Sequence, residues 1–549
     1  MKRTTLLWIT ALLLGWCFDF LFWKQAPGIN FAIYAVLCLG AGCLVLQGNG
    51  IRPAWKSLLL LIPILFFAAI YFIRLEPLTM LLAGAFTLGL MAVLAVSYTG
   101  GRWPWYSLWD YVANIARLAG SMLARPLTFL SESKKARAAA AAGADAGAVA
   151  GGGSGRTGHA GWKRFWAVLR GLLIALPILI IFAALLSSAD LVFAQRLQDF
   201  TRLFRLQNLP EYIFRTVYIL IGAYALSGVF LHAARKSRDE SLAGEKPLLP
   251  QFLGFTESAV VLGSVVVLFL LFVFIQFRYF FGGNTNIGVE GFTYSEYARR
   301  GFGELVAVAV CSLLLFLGLS AIARRQTPLQ RRVFSGLGIG MVALVGVMLV
   351  SAFQRLQLYE AAYGYSRLRI YTHVFMLWLG LLLTAVVLLE ILRRERLFPL
   401  ALLLASIGFA ATLAIGNVDA IIVRQNVARA PQGKGLDVPY LASLSTDSVP
   451  ALAAAYTSAA LPGLTRDAVG AVLVCRLHNA PTPKTAGWRG FTLSRWWADQ
   501  AMARVKSGLG KYQVTGSQPD SQNTASGQMD SQVGGVQVLT PGKVYYRCP

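Results

Sequence analysis

The sequence predicts an all-α polytopic membrane protein, on the basis of its composition and the length of its apolar runs. Of 549 residues, 56% are hydrophobic and 14% are charged, and the mean hydropathy is +0.59. A water-soluble domain of this length is not expected at such a composition. Apolar runs of about 18 or more residues span a bilayer as helices. Because backbone amides in hydrocarbon must be paired within their own segment, open strands are not expected.

The apolar runs predict a transmembrane helical bundle of about eleven spans. The first run follows Met-Lys-Arg and leads into FDFLFWKQAPG, which has no small-x-small cleavage site. An uncleaved signal anchor is therefore expected there rather than a secretory signal. The predicted spans are Thr5–Phe22, Ile29–Gln47, Ser57–Ile73, Leu78–Ser97, Phe165–Leu186, Ile213–His232, Ala259–Phe277, Leu305–Ile322, Leu337–Phe353, Ile370–Ile391 and Phe398–Val418.

Changes in composition divide the chain into five predicted parts. An Ala/Gly-rich stretch after the fourth span cannot bury a core and is expected to be a flexible linker. A Ser/Gly/Gln-rich stretch near the C-terminus is expected to be disordered, with a short hairpin around Pro541-Gly542. The parts are a four-helix membrane block (1–97), an interfacial helix plus linker (98–164), a seven-helix membrane core (165–418), an extracytoplasmic C-terminal helical region (419–505) and a largely disordered tail (506–549).

The formal net charge of +25 comes largely from basic residues beside the membrane segments. Anionic headgroups of membrane lipids on the cytoplasmic side are the expected partner, at about 1 kcal/mol per basic residue. No nucleic-acid recognition module is apparent, and the sequence does not indicate an oligomeric state. Basic residues near helix ends are more numerous on the N-terminal side, so the positive-inside bias predicts a cytoplasmic N-terminus and an extracytoplasmic C-terminal region.

Three clusters of arginine, tyrosine and carboxylate stand where apolar runs end, at Phe274–Glu304, Ser351–His373 and Gly416–Asn426. Two predicted spans separate each cluster from the next, so all three are expected on one face, together with Asp19 and Asp190. Guanidinium groups bind phosphate bidentately, which predicts a site for an anionic or lipid-linked ligand. The candidate ligand-binding residues are Arg278, Glu296, Arg299, Arg300, Glu304, Arg355, Tyr359, Glu360, Arg367, Arg369, Asp419 and Arg424.

The same clusters also have a structural interpretation. Tyrosines belong to interfacial belts, arginines snorkel from helix ends, and arginine and glutamate in mixed sequence pair with each other. Both interpretations stay open at the level of sequence.

The function is left open between ligand binding and three alternatives, and so is the question of whether the protein is an enzyme. A membrane-embedded transferase acting on a lipid-linked substrate needs interfacial acids and bases, but no spacing singles out a catalytic pair. A transporter usually places ionisable groups near the midplane, whereas these lie near helix ends. A structural or sensory protein would use the C-terminal region.

Several motifs are missing from the sequence. It has no GxxxxGK[ST] phosphate loop, HExxH motif, CxxC pair or GxSxG elbow. Its four histidines are scattered, so neither a metal site nor a cofactor is expected. Cys475 and Cys548 are the two cysteines of the C-terminal region, and either a disulfide or two free thiols fits the sequence.

Five segments carry a family resemblance. FRYFFGG, YSEYARRGFGEL, SAFQRLQLYEAAYGYSRLRIY, NVDAIIVRQN and LDVPYLASLSTDSVPAL, in this order, resemble a bacterial membrane-protein family described as a domain of unknown function, DUF 4173. The resemblance covers roughly Phe255–Arg504. It implies a multi-pass protein of the bacterial inner membrane with no established activity, and it provides no catalytic residues.

Overall fold

The computed structural model contains two compact units. The larger includes Phe20–Ala119 and His232–Pro549, and the smaller includes Arg3–Asp19 and Gly120–Leu231. The residues that the structure describes are 4–147, 209–235, 237, 252–281, 302–479, 487–516 and 536–549, with nine single positions between 171 and 196.

Ten helical spans in the described residues are long and apolar enough to cross a membrane, which confirms the all-α polytopic bundle. They match ten of the eleven predicted spans, and Phe165–Leu186 lies outside the described residues except for single positions. All helices in the following list belong to these spans except α6, with α3 and α4 forming one span. They are α1 Thr4–Phe22, α2 Ile29–Gly48, α3 Trp55–Leu58, α4 Leu61–Ile73, α5 Pro77–Ser97, α6 Leu108–Gly147, α7 Leu209–Arg235, α8 Phe255–Phe281, α9 Phe302–Ile322, α10 Pro328–Tyr363, α11 Arg367–Ile391 and α12 Phe398–Gly416.

The longest of these spans, α10, reaches beyond the thickness of a bilayer. Its 36 residues correspond to about 54 Å at 1.5 Å per residue, against about 30 Å of hydrocarbon. A capping box of Thr327 and Gln330 starts the helix, and Gly364, at a φ of +86°, ends it. The apolar centre of α10 therefore lies between two polar ends, and the second cluster occupies its last turns.

Helices α8 to α11 pack around one apolar core in the larger unit. Leu262, Phe316, Met341 and Met376 are buried in it. A Cβ atom at Gly338 would collide with the ring of Phe316, so this glycine permits the close contact of α9 with α10. Helices α4, α5 and α12 share a second apolar core.

The helix α6 begins where the interfacial helix is expected. Ser107 and Asp110 cap it reciprocally, through Ser107 N to Asp110 Oδ2 (2.9 Å) and Asp110 N to Ser107 Oγ (3.1 Å). It continues through the first part of the Ala-rich stretch to Gly147. This differs from the expected flexible linker because alanine has the highest helix propensity. Residues 148–164 lie outside the described part.

The smaller unit contains most of α1 and most of α7. The backbone oxygen of Ile219 lies where a Cβ atom on Gly15 would be, so the two helices are in close contact. Arg215 donates to both oxygens of Asp19, at 2.9 and 2.5 Å, and Tyr218 donates to the same carboxylate. Asp19 is therefore part of an ion pair within this unit.

The chain after α12, residues 417–549, is folded in its described part, and we call it the tail. The central helix of the tail is α16, whose consecutive residues from Ala468 to Cys475 are all buried. The elements of the tail are α13 Val418–Arg429, α14 Val438–Ser443, α15 Val449–Thr457, α16 Gly463–His478, α17 Leu493–Leu509, β1 Gln513–Thr515, β2 Gln537–Leu539 and β3 Tyr545–Arg547.

A small antiparallel sheet closes the tail, in the strand order β1-β2-β3. Its β2–β3 hairpin turns at Pro541-Gly542, where the sequence predicts a turn. Cys548 follows β3 and forms a disulfide with Cys475 of α16. The structure thus differs from the expected largely disordered segment at 506–516 and 536–549, because this covalent link and the sheet hold both ends. Residues 517–535 lie outside the described part.

Candidate functional site

The second and third clusters meet through a buried ion pair. Arg367, the first residue of α11, donates from Nε and Nη2 to the two oxygens of Asp419, at 2.7 and 2.6 Å. The Asp419 side chain is 0% exposed and that of Arg367 is 24% exposed. Asp419 lies in the first turn of α13 and also accepts from Ser445 N (2.6 Å). These three donors replace the water that a buried carboxylate loses.

A second set of contacts ties the tail to the connection between α4 and α5. Asp447 accepts from the backbone amides of Leu75 (2.8 Å) and Glu76 (2.9 Å). Glu76 in turn caps α5 and accepts from the hydroxyl of Tyr371. Burial raises the pKa of Asp447, and the nearby Ser494 hydroxyl, the two amides and the Arg74 guanidinium partly oppose this effect. We call Arg367, Asp419, Tyr371, Glu76 and Asp447 the tail anchor.

A third pair joins the end of α10 to the start of α11. Nδ1 of His373 lies 3.2 Å from a carboxylate oxygen of Glu360, whose side chain is almost fully buried. The ring of Phe353 packs against the His373 ring at a centroid distance of 4.5 Å. Two members of the second cluster are thus part of the packing between helices.

A cavity of about 200 Å³ lies beside the tail anchor, and we call it the tail-face cavity. Three cations reach it. Arg429 donates to the carbonyl oxygen of Ala361 (2.7 Å), Lys434 donates to the same oxygen, and Arg369 donates to that of Gly364. The cavity is lined by Tyr363, Tyr365, Ser366, Arg369, Asn426, Arg429, Lys434, Gly435, Leu436, Asp437, Tyr440 and Leu441.

The tail-face cavity has an excess of positive charge. Among the described residues, none of its three cations forms an ion pair with a carboxylate. All three donate to backbone carbonyls at the C-terminal end of α10, and Arg429 also donates to Asn426 Oδ1 (3.5 Å). Asp437 is the one acid among the described residues of the lining, and it caps α14 by accepting from Tyr440 N (2.9 Å). An anion that enters the cavity would therefore meet cations that no carboxylate of the described residues neutralises.

Tyrosine hydroxyls add neutral donors to this cavity. Burial raises the pKa of Tyr365 and of Tyr440, so both hydroxyls stay protonated well above neutral pH. The Tyr440 oxygen accepts from the backbone amide of Arg367 (2.9 Å), which leaves its own hydrogen for another acceptor. Arg369 also stacks on the ring of Tyr359, 4.2 Å from its centroid, which orients the guanidinium.

The structure separates the residues of the predicted site into groups. Arg369 lines the cavity with Tyr359 beneath it, Arg367 and Asp419 pair with each other, and Glu360 pairs with His373. Arg355 is half-buried on α10, whereas Arg424 on α13 and Glu304 on α9 are exposed. Four predicted site residues have side chains outside the described part, namely Arg278, Glu296, Arg299 and Arg300.

Sequence reasoning missed several residues of this face. Asn426 is the last residue of the third cluster but not one of the candidate residues, and Arg429 follows it three positions later on α13, a helical spacing that could have found both. Lys434 lies beyond the turn that ends this helix, and Glu76 lies far away in the chain, so neither has a local signal. Within the described residues, no group of three or more His, Cys, Asp or Glu side chains is placed to hold a metal ion.

These features define an integral membrane protein of many helical spans with a folded C-terminal tail fastened to the helix ends by buried polar contacts. Residues 61–455, more than half of the chain, match the family described as Domain of unknown function (DUF4153), and the chain belongs to this family. The resemblance expected from the sequence thus holds for a domain of unknown function but not for the family number 4173. No curated protein and no solved structure matches the chain.

Proposed function

We propose that the protein binds an anionic or lipid-linked ligand in the tail-face cavity. The observation that carries this proposal is the convergence of Arg369, Arg429 and Lys434 on one cavity, where their partners are carbonyl oxygens. Oxygens of a phosphate or carboxylate would replace neutral acceptors with charged ones, and charge-assisted hydrogen bonds are about twice as strong.

The size of the cavity favours a headgroup over a whole lipid. Its volume of about 200 Å³ is below the roughly 300–1,000 Å³ of pockets that enclose a drug-sized ligand. A phosphate-bearing headgroup would fit there while the rest of a lipid stays outside. The hydroxyls of Tyr365 and Tyr440 would donate to such a ligand.

The acids of this face support binding better than acid–base catalysis or transport. Asp419 is held by Arg367, Glu360 lies against His373, and Asp437 caps a helix. A transferase would need one of these acids to be accessible to its substrate. The transferase, transporter and sensory alternatives stay hypotheses: of the other candidate acids, Glu304 is exposed on α9 but does not line the tail-face cavity, and Glu296 lies outside the described part.

The proposed location is a bacterial inner membrane, with the N-terminus in the cytoplasm and the tail outside it. The positive-inside bias supports this orientation. The disulfide between Cys475 and Cys548 supports it too, because disulfides persist in oxidising compartments and are rare in the cytosol.

Native mass spectrometry of the full-length protein in detergent tests the proposal. The probe is dioctanoyl phosphatidylglycerol, with dioctanoyl phosphatidylcholine as the zwitterionic comparison. The triple variant Arg369→Gln, Arg429→Gln, Lys434→Gln should bind the anionic lipid at least tenfold more weakly. One hydrogen bond to a charged group contributes about 1.5–3 kcal/mol, and tenfold in affinity is about 1.4 kcal/mol.

The matched control removes three exposed cations elsewhere in the tail, through Arg504→Gln, Lys506→Gln and Lys511→Gln. It carries the same change in net charge, and its affinity should stay within threefold of wild type. An equal loss of affinity for the anionic lipid in both triple variants would show that binding depends on the overall positive charge and not on the tail-face cavity. The structural interpretation, in which these cations serve as partners of the α10 carbonyls, would be favoured by two results together. The wild-type protein would bind no anionic lipid, and the cavity triple variant alone would unfold at a lower temperature.

A further inference from the structure

A second, larger cavity lies at the other end of α10, and we call it the arginine pocket. Its volume is about 850 Å³, and its polar lining includes Arg325, Arg331, Arg332, Arg393, Ser335 and Glu390. It is formed by the residues between α9 and α10, the first turns of α10 and the end of α11. Because α10 spans the bilayer, the arginine pocket and the tail-face cavity belong to opposite membrane faces.

One of these arginines makes four contacts with residues that the structure describes. Arg325 donates from Nη2 to the carbonyl oxygen and the hydroxyl of Ser320, at 2.9 and 2.7 Å. Its guanidinium lies over the ring of Phe334, 4.5 Å from the centroid. Its Nη1 lies 3.6 Å from Glu390 Oε1. This arginine is therefore held in the wall of a pocket, unlike a side chain that snorkels into water.

The base of the pocket contains a buried carboxylate. Glu390 is 7% exposed and accepts a hydrogen bond from the Ser335 hydroxyl (2.5 Å). Among the described residues of the lining it is the one carboxylate beside four arginines, which gives this lining an excess of positive charge. The first residues of α10 also belong to the lining, and the N-terminal end of a helix favours an anion.

The rim of the pocket continues into apolar surface. Ile391 of the lining is 59% exposed, and Leu329, next to the lining residue Pro328, is 70% exposed. Both belong to helices that are long and apolar enough to cross the membrane. Such side chains would contact acyl chains at the edge of the bilayer. A ligand with a phosphate group and an apolar chain could place the phosphate at the arginines and the chain along this apolar surface.

We propose that the arginine pocket binds the phosphate-bearing headgroup of an anionic membrane lipid. Arg331 and Arg332, which are exposed at the rim, hold the phosphate, and Arg325 provides a fixed donor in the wall. Glu390 and the Ser335 oxygen, whose hydrogen is donated to Glu390, offer acceptors to the hydroxyl groups of the headgroup. The site is independent of the tail-face cavity.

The test titrates the full-length protein with dioctanoyl phosphatidylglycerol and, separately, with glycerol 3-phosphate, followed by native mass spectrometry. In the double variant Arg331→Gln, Arg332→Gln, the affinity for one phosphatidylglycerol molecule should fall at least tenfold. The control is Arg394→Gln with Arg396→Gln, two exposed arginines outside the lining on the same membrane face. It should change the affinity less than threefold.

Three results would overturn the proposal. Equal weakening in the two double variants would assign the binding to diffuse charge. Binding of glycerol 3-phosphate as tight as that of phosphatidylglycerol would assign the pocket to a soluble phosphate ester. Loss of all bound phosphatidylglycerol in the tail-face triple variant would assign the lipid to the other cavity and leave the first proposal intact.

Discussion

Asp419 has no exposed surface, and its carboxylate accepts from two guanidinium nitrogens of Arg367 and from the amide of Ser445. Removing a charge from water is costly unless hydrogen bonds and a counter-charge replace the solvent. The two members of this pair are not equivalent, because only Arg367 keeps some contact with solvent. Substituting one or the other should therefore have different consequences.

Arg367→Gln is predicted to lower the free energy of unfolding by about 3–5 kcal/mol, because it leaves an unpaired buried carboxylate. Asp419→Asn should cost less, since the partly exposed guanidinium of Arg367 can turn to water. Thermal unfolding of both variants in detergent gives the comparison.

The control for this pair is Arg424→Gln, an exposed position on α13, which should change stability by no more than about 0.5 kcal/mol. Equal destabilisation by Arg367→Gln and Asp419→Asn would contradict the argument from exposure.

At the scale of elements, α16 is the helix around which the tail is built. It has buried residues on all sides, and its Cys475 forms the disulfide with Cys548, which follows the strand β3. The two cysteines are 73 residues apart, so the bond closes a long loop that includes the residues 517–535. Long loops are those in which a cross-link restricts the unfolded chain most.

The disulfide predicts a count of reactive thiols. Denatured protein without reductant should take up four maleimide groups, on Cys17, Cys38, Cys43 and Cys311, and six after reduction. Mass spectrometry of the intact chain measures both. The double variant Cys475→Ser, Cys548→Ser should lose up to about 4 kcal/mol of stability in the chain-entropy account. Six labelled thiols before reduction would show that the bond is not formed.

At the scale of the larger unit, the tail contacts several connections between membrane helices. Besides its contacts with Leu75 and Glu76, it receives a hydrogen bond from Ile29 N to the carbonyl oxygen of Phe491 (2.9 Å). These connections follow the first and third predicted spans. The second and third clusters follow the ninth and eleventh predicted spans, so an even number of spans separates each of these places from the others. All of them therefore belong to the same membrane face as the tail.

The orientation of this face can be measured with the tail cysteines. In a variant with Cys17, Cys38, Cys43 and Cys311 replaced by alanine, a membrane-impermeant reductant followed by an impermeant maleimide should label Cys475 and Cys548 in intact cells. This result is expected because the positive-inside bias predicts an extracytoplasmic tail. Labelling that requires cell lysis, with a known extracytoplasmic thiol labelled in parallel, would place the tail in the cytoplasm.

The sequence by itself determined the class of the protein and the segments that form its helices. Hydrophobicity over the length of a bilayer is a local property, so ten of the predicted spans match helices in the structure. The clusters at helix ends were also visible, because a change from apolar to polar residues marks where a span leaves hydrocarbon. Parity of spans was enough to expect the second and third clusters on one face.

Only the tertiary structure decided which of these residues bind each other and which line a cavity. Arg367 and Asp419 are 52 positions apart, and their pairing depends on how α11, α12 and α13 pack. The same packing brings Arg429 and Lys434 to the end of α10. The fold of the tail brings Cys548 to Cys475, although cysteine spacing left the disulfide open. The physical reason is that hydropathy acts along the chain, whereas ion pairs, cavities and disulfides depend on distances between segments that the folded packing alone sets.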